Sequence, residues 1–182
     1  MFSSGIASLP SFLPRTDLLN TVVETPFGTT VKLKYDDAAG VFRTHKAMPL
    51  GFEFPFNFGF VPGTAAQDGD PLDVLLLSSH GIPVGTVVPG RILSVLEAEQ
   101  TEKKVKNRND RVIAIPWDMV SHGPMLPKLS FDPALKHAIA MFFRKYNEAQ
   151  GKGFRPLRFT SGRRGIQIVR KAMKAAKNAE KA

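Results

Sequence analysis

Cysteine is absent from the chain. That excludes disulfides and thiolate metal sites, and fits a reducing compartment such as the cytoplasm. No apolar run approaches the roughly 20 residues that a membrane-spanning helix requires. The segment from Met1 to Leu19 lacks a basic start followed by an apolar stretch, so it does not read as a signal peptide. Histidines are few, and His45, His80, His122 and His137 are scattered without paired metal-ligand spacing. Neither a G-x-x-x-x-G-K-[ST] phosphate loop nor a G-x-S-x-G elbow occurs. There is no internal repeat and no linker, so residues 1–182 read as one domain.

The hydrophobic content of 43% and charged content of 23% are those of an ordinary folded protein. The charge balance is less ordinary, with a net charge of +9. Much of the excess falls between Arg155 and Lys181. A basic surface attracts nucleic acid or a small polyanion such as a phosphate compound. It is also compatible with a solvated face that has no partner.

Residues 1–20 have no clear period and read as an irregular arm. Thr21–Thr25 and Thr29–Tyr35 read as strands, and Gly40–His45 as a third that closes a hairpin around Asp36–Gly40. From Gly51 to Phe60, five phenylalanines occupy alternating positions, which predicts an extended segment with one packed face. Further strands are expected at Val74–Leu77, Thr86–Glu99 and Arg111–Ile115. The second half turns helical. Leu135, Ile139, Phe142, Phe143 and Tyr146 share helical spacing within Pro133–Gln150, with Asp132 as N-cap, Pro133 in the first turn and Gly151 as terminator. Gly165–Ala182 reads as a second helix, rich in Ala and Lys. Strands first and helices last predict an α+β fold, with two C-terminal helices packed on a compact β-barrel.

The most informative stretch is Asp68-Gly69-Asp70-Pro71-Leu72-Asp73. It places three carboxylates in one short turn just before a buried strand. Gly69 permits a backbone shape that other residues resist, and Pro71 pushes Asp70 towards an extended conformation. Such an oxygen cluster suits a hard divalent cation such as Mg²⁺. Turn chemistry alone would also produce a solvated acidic turn.

Taken with Val23-Glu24-Thr25-Pro26, Lys34-Tyr35-Asp36, the segment Phe54-Pro55-Phe56-Asn57-Phe58-Gly59-Phe60, and Phe142-Phe143 with Tyr146, this turn resembles the soluble family I inorganic pyrophosphatases over residues 20 to 160. The resemblance implies a small closed, OB-like β-barrel flanked by helices. It implies hydrolysis of pyrophosphate by a metal-activated water, with Mg²⁺ as cofactor and Mn²⁺ as an alternative. It also implies a homo-oligomer in the cytoplasm, binding neither nucleic acid nor membrane. On the matching positions, Asp68 and Asp73 are metal-binding carboxylates, Asp70 helps activate the water, and Glu24 lies at the metal-rich edge. Asp36 stands where a glutamate is usual. Lys34, Lys46, Arg111 and Tyr146 are the expected phosphate contacts, so Asp70 and Tyr146 are the expected catalytic residues.

The sequence also departs from the family pattern. Phe54, Phe58 and Phe60 stand where tyrosines are usual, Asn147 and Lys46 replace a lysine and an arginine, and Gly153-Phe154 replace a lysine and a tryptophan. Two further metal-binding aspartates fall on Gln100 and Asn109. A one-residue register shift would bring Glu99 and Asp110 into their place, and both are therefore expected metal ligands; the competing expectation is a solvated hairpin tip around Lys103–Arg108. These departures keep two other readings open: a phosphoanhydride hydrolase for polyphosphate or a nucleotide, and a non-catalytic barrel that binds anions or nucleic acid. Gly162-Arg163-Arg164-Gly165 reads as a solvated loop, with anion binding before the last helix as the alternative.

Overall fold

The computed structural model describes residues 5–118, 123–124 and 131–179. His122 and the outermost ends of the expected arm and last helix lie outside the described residues. Ten strands and two helices follow in the order β1 (Leu18–Thr25), β2 (Val31–Asp36), β3 (Val41–Ala47), β4 (Asn57–Phe60), β5 (Asp73–Leu76), β6 (Val87–Glu102), β7 (Val105–Arg108), β8 (Arg111–Asp118), β9 (Gly123–Pro124), α1 (Pro133–Glu148), β10 (Gly153–Phe159) and α2 (Gly162–Ala179). The pairings run β6-β1-β4-β5-β8, and β8 pairs back onto β6. That return closes a five-stranded barrel, the expected α+β architecture. β2 and β3 form a separate hairpin.

The barrel strands are packed on both faces. Along β5 and β8, Val74, Leu76, Val112 and Ala114 join one apolar cluster with Val169 and Ala172 of α2. Their neighbours Leu75, Leu77, Ile113 and Ile115 join a second cluster with Ile139 and Phe143 of α1. Residues that alternate in direction along a strand thus all find apolar partners, which is why these strands read as continuous apolar runs. The Asp132 carboxylate accepts from the Leu135 N–H and caps α1, as its sequence predicts.

One local expectation is corrected, one is borne out, and one strand was not expected. Only Asn57–Phe60 of the phenylalanine segment forms strand, although Phe54 is buried like Phe58 and Phe60. The Lys103–Arg108 tip is a two-residue turn at Lys103 and Lys104, with φ of 48° and 66°, from which β7 returns along β6. β10, between the helices, carries Pro156 and is interrupted by a bulge there, so its strand signal is broken.

The Gly162-Arg163-Arg164-Gly165 segment opens α2 instead of forming a loop. Its glycines let the helix approach β6. A Cβ on Gly165 would lie 2.7 Å from Cγ2 of Ile92, and one on Gly162 would lie 2.5 Å from the Ile92 carbonyl oxygen. Gly165→Ala is therefore expected to destabilise the fold by about 1–3 kcal/mol through overpacking. A urea midpoint at or above that of the wild type would refute this.

Candidate active site

The loop between β4 and β5 builds the carboxylate turn. Gly69 adopts φ +88°. The Asp68 carboxylate accepts from the Asp70 N–H at 3.2 Å, and the Ala66 N–H donates to the Asp70 carbonyl at 2.8 Å. Thr64, buried beneath, donates to the Val61 carbonyl and accepts from the Leu72 N–H, tying the loop to the barrel. Asp73 opens β5, whose parallel pairing with β8 sets it opposite Arg111. The pair closes at 2.7 Å from Nη1 to Oδ2. The Arg111 guanidinium is buried among the rings of Phe58, Phe143 and Phe154, at 5.4–6.0 Å from their centroids. Phe58 and Phe154, two of the departures from the family pattern, thus form part of an aromatic cage around a charged side chain.

Asp68, Asp70, Asp73, Glu24, Lys34, Lys46, Arg111 and Tyr146 all line one cleft of about 810 Å³. Glu24 is buried on β1, where its Oε1 accepts from the Tyr35 N–H at 2.6 Å. Burial raises its pKa from 4.5 to about 7. Burial, and then the charges of Asp70 and Asp73, raise Asp68 above the usual carboxylate range. The Tyr146 hydroxyl is buried beside the Gln150 side chain, and burial raises its pKa too. Lys46 reaches Gln150 Oε1 and lies 5.5 Å from the Tyr146 ring centroid.

On β2 two lysines line the cleft. Lys34 forms an ion pair with Asp70 at 2.8 Å. Lys32, which the sequence reading passed over, is the more enclosed lysine. Its Nζ lies 5.0 Å from the Phe58 ring centroid, and burial lowers its pKa, countered first by Asp73. Period two puts Lys32, Lys34 and Asp36 on one strand face. That shared face was the available signal, and it left the register open. Asp36, expected near a metal, stands at the rim with its carboxylate held by the Ala39 N–H and Arg43.

The register on the far wall did not shift. Gln100 and Asn109 line the cleft and bond to each other at 2.8 Å, and Arg111 donates to Asn109 Oδ1. Glu99, one residue along β6, has its carboxylate near Lys106 and Arg155 and lines a different groove. Asp110 borders the cleft, but its carboxylate is bound to Arg108 and accepts from the Ala98 N–H. Strand alternation turns Glu99 to the face opposite Gln100, while Asp110, outside the strands, has its carboxylate on Arg108 at the edge of the cleft. Asn147 is buried and donates to the Phe143 carbonyl.

A profile of the inorganic pyrophosphatase family matches residues 21–177 of the chain. The chain belongs to the inorganic pyrophosphatase family. Relatives include the inorganic pyrophosphatase of Sulfolobus acidocaldarius, 32% identical over 136 residues that cover 74% of this chain and 76% of the relative. That of Aeropyrum pernix is 30% identical over 168 residues, covering 90% and 92%. The crystal structure of the inorganic pyrophosphatase from Thermus thermophilus superposes with a TM-score of 0.81 at 26% identity, covering 96% of this chain and 99% of that one. Beside this family likeness, the chain described here carries the aspartate turn, an arginine bound to Asp73, and carboxamides on its far wall.

The donor chemistry of the turn fits one hard divalent cation. Asp68 carries repulsion from two neighbouring carboxylates that a cation would relieve. The Gln100–Asn109 wall fits poorly, since its amide groups are neutral and bonded to each other. Among the described residues, no group of three or more His, Cys, Asp or Glu stands at metal-binding spacing. Asp70 and Asp73 are drawn instead onto Lys34 and Arg111.

Glu24 gives a pH prediction for the metal-free protein. Its folded pKa of about 7 exceeds the ordinary 4.5, so the unfolded chain releases this proton first. Stability therefore falls as pH rises from about 4.5 to 7, and the penalty is complete above that range. Glu24→Gln keeps the acceptor for Tyr35 and removes the charge. It is expected to stabilise the protein by about 1–3 kcal/mol at pH 8 and by little at pH 4.5. Equal shifts in urea midpoint at both pH values would refute this.

Proposed function

We infer that this chain hydrolyses inorganic pyrophosphate to two phosphates in the cleft above the aspartate turn. The observation that carries the reading is the convergence of three carboxylates, a caged arginine and a buried tyrosine hydroxyl on one cleft, in a chain matched by the family profile over residues 21–177. A divalent cation, with Mg²⁺ proposed and Mn²⁺ as an alternative, would be held by Asp68 and Asp73 with Asp70 beside them. When bound, it would neutralise substrate charge and acidify a water. Glu24 adds a buried carboxyl at the same end.

The side chains supply the rest. Asp70 Oδ accepts the proton of the attacking water. Arg111, Lys32 and Lys46 bind phosphate oxygens and offset the charge that grows on the bridging oxygen as its bond breaks. Tyr146 Oη donates to a phosphate oxygen. Lys34 holds Asp70 in place. We further propose a homo-oligomer in the cytoplasm, binding neither nucleic acid nor membrane. In support, no described helix is long and apolar enough to cross a membrane.

The test is phosphate release from pyrophosphate with Mg²⁺, and again after chelation. Release is expected with the metal and at least about 100-fold less without it. No release across a wide range of Mg²⁺ and Mn²⁺ would overturn the reading.

A further inference from the structure

The arm before β1 is seated against the loop that carries the aspartates. It lies outside the segment that the family profile matches, which begins at residue 21. β1 anchors it. The Asn20 N–H donates to the Ser11 carbonyl at 2.9 Å, and the Asn20 side-chain amide donates to the Pro10 carbonyl at 2.8 Å. The Leu13 N–H donates to the Leu18 carbonyl, and Phe12 packs on the apolar cluster that holds Leu19 and Val61. Ser11 is thereby 2% exposed, and its hydroxyl donates to the Pro62 carbonyl at 2.7 Å.

Pro62 and Gly63 line the cleft and lead into the aspartate turn. The turn itself is exposed and bonded internally, through Ala66, Asp68, Gly69 and Asp70. Apart from Lys34 on Asp70, its ties to the rest of the molecule lie at its root. They are Ser11 on Pro62, the Thr64 hydroxyl on Val61 and Leu72, and the Ala65 N–H on the Ala172 carbonyl of α2. Gly63, at φ +65°, gives that root freedom to turn, because it has no Cβ to resist other backbone angles. Pro62 is buried, and a buried carbonyl without a donor is costly. Without the Ser11 hydroxyl, the Pro62 carbonyl would rotate towards water and carry the turn with it.

We propose that Ser11 is a positioning residue for the aspartate turn, acting through the Pro62 carbonyl to set where Asp68 and Asp70 enter the cleft. The proposal rests on the pyrophosphatase reading above. It divides the cleft into two parts with different supports. The phosphate contacts Arg111, Lys32, Lys46 and Tyr146 belong to β8, β2, β3 and α1, and the strands among these are fixed by their own pairings. The arm supports the part that activates water. Its loss should therefore slow the chemical step and leave substrate binding in place.

The experiment measures kcat and KM for pyrophosphate at saturating Mg²⁺ in the wild type, Ser11→Ala and Ser11→Thr, with a urea melt on each preparation. Ser11→Ala is expected to lower kcat about ten-fold, because a small displacement of a reacting group is costly, and to keep KM within about two-fold. Ser11→Thr, which retains the hydroxyl, is expected to recover most of kcat. The urea melts are expected to show all three proteins folded under the assay conditions. The proposal is overturned if Ser11→Ala keeps kcat within about two-fold of the wild type, or if KM rises while kcat holds. It is also overturned if Ser11→Thr is as slow as Ser11→Ala, or if the loss of kcat equals the unfolded fraction, because Ser11 would then serve only the fold. A wild type that releases no phosphate would remove the pyrophosphatase reading itself, a result distinct from these.

Discussion

Asp70→Asn lowers kcat for pyrophosphate about 10²- to 10⁴-fold, the usual contribution of a positioned general base, and leaves the fold intact. Asparagine has nearly the shape of aspartate, so the loop should not rearrange. The bonds that set the loop involve the Asp70 backbone, its N–H to Asp68 and its carbonyl from Ala66, and the substitution spares both. The ion pair to Lys34 is lost, but both side chains are about half exposed, so the stability cost is below about 1 kcal/mol. What disappears is an oxygen able to take a proton. Kinetics and a urea melt on the same preparation check this. A kcat within three-fold of the wild type would exclude Asp70 as the base, whereas a loss of kcat together with a collapsed urea midpoint would mean that its role is structural.

Arg111→Met is expected to lower kcat/KM for pyrophosphate about ten- to a hundred-fold, the effect of losing one charge-assisted contact to phosphate. Methionine fills similar volume between Phe58, Phe143 and Phe154, so little of the cage is lost. The change does strand Asp73, which loses its 2.7 Å partner. Removing one member of a buried pair costs about 3–5 kcal/mol. Asp73 retains some contact with solvent and has Lys32 nearby, so about 1–3 kcal/mol is expected here. Arg111→Lys should recover the stability and part of the activity, since it keeps the charge and loses the planar fork. Full activity in Arg111→Met would show that Arg111 serves the barrel and not the substrate.

Several features were legible because their causes are local. The Asp68–Asp73 turn is built by its own Gly and Pro, with a side-chain bond two residues away. α1 follows from its period and its Asp132 cap. The apolar runs of β5 and β8 follow from burial on both faces. Other features were not legible. Lys32 and Lys34 are alike in type and share a strand face, and only the packing of Phe58 and the position of Asp73 select Lys32 for the enclosed place. Glu99 and Gln100 differ by one step, and that step reverses the face. β10 is a strand because β6 is long enough to extend past the barrel and offer it an edge, although Pro156 argues against it.

The amino-acid sequence by itself determined the kind of chemistry, the α+β order of elements and the turn that gathers three carboxylates, because these depend on residues within a few positions of one another. The tertiary structure alone decided which lysine is enclosed beside Phe58, that the far wall carries amides, and that a buried arginine clamps Asp73. Those outcomes depend on register between strands distant in the chain. In a sheet, a slip of one residue turns every side chain to the other face, and only the packed barrel fixes that parity.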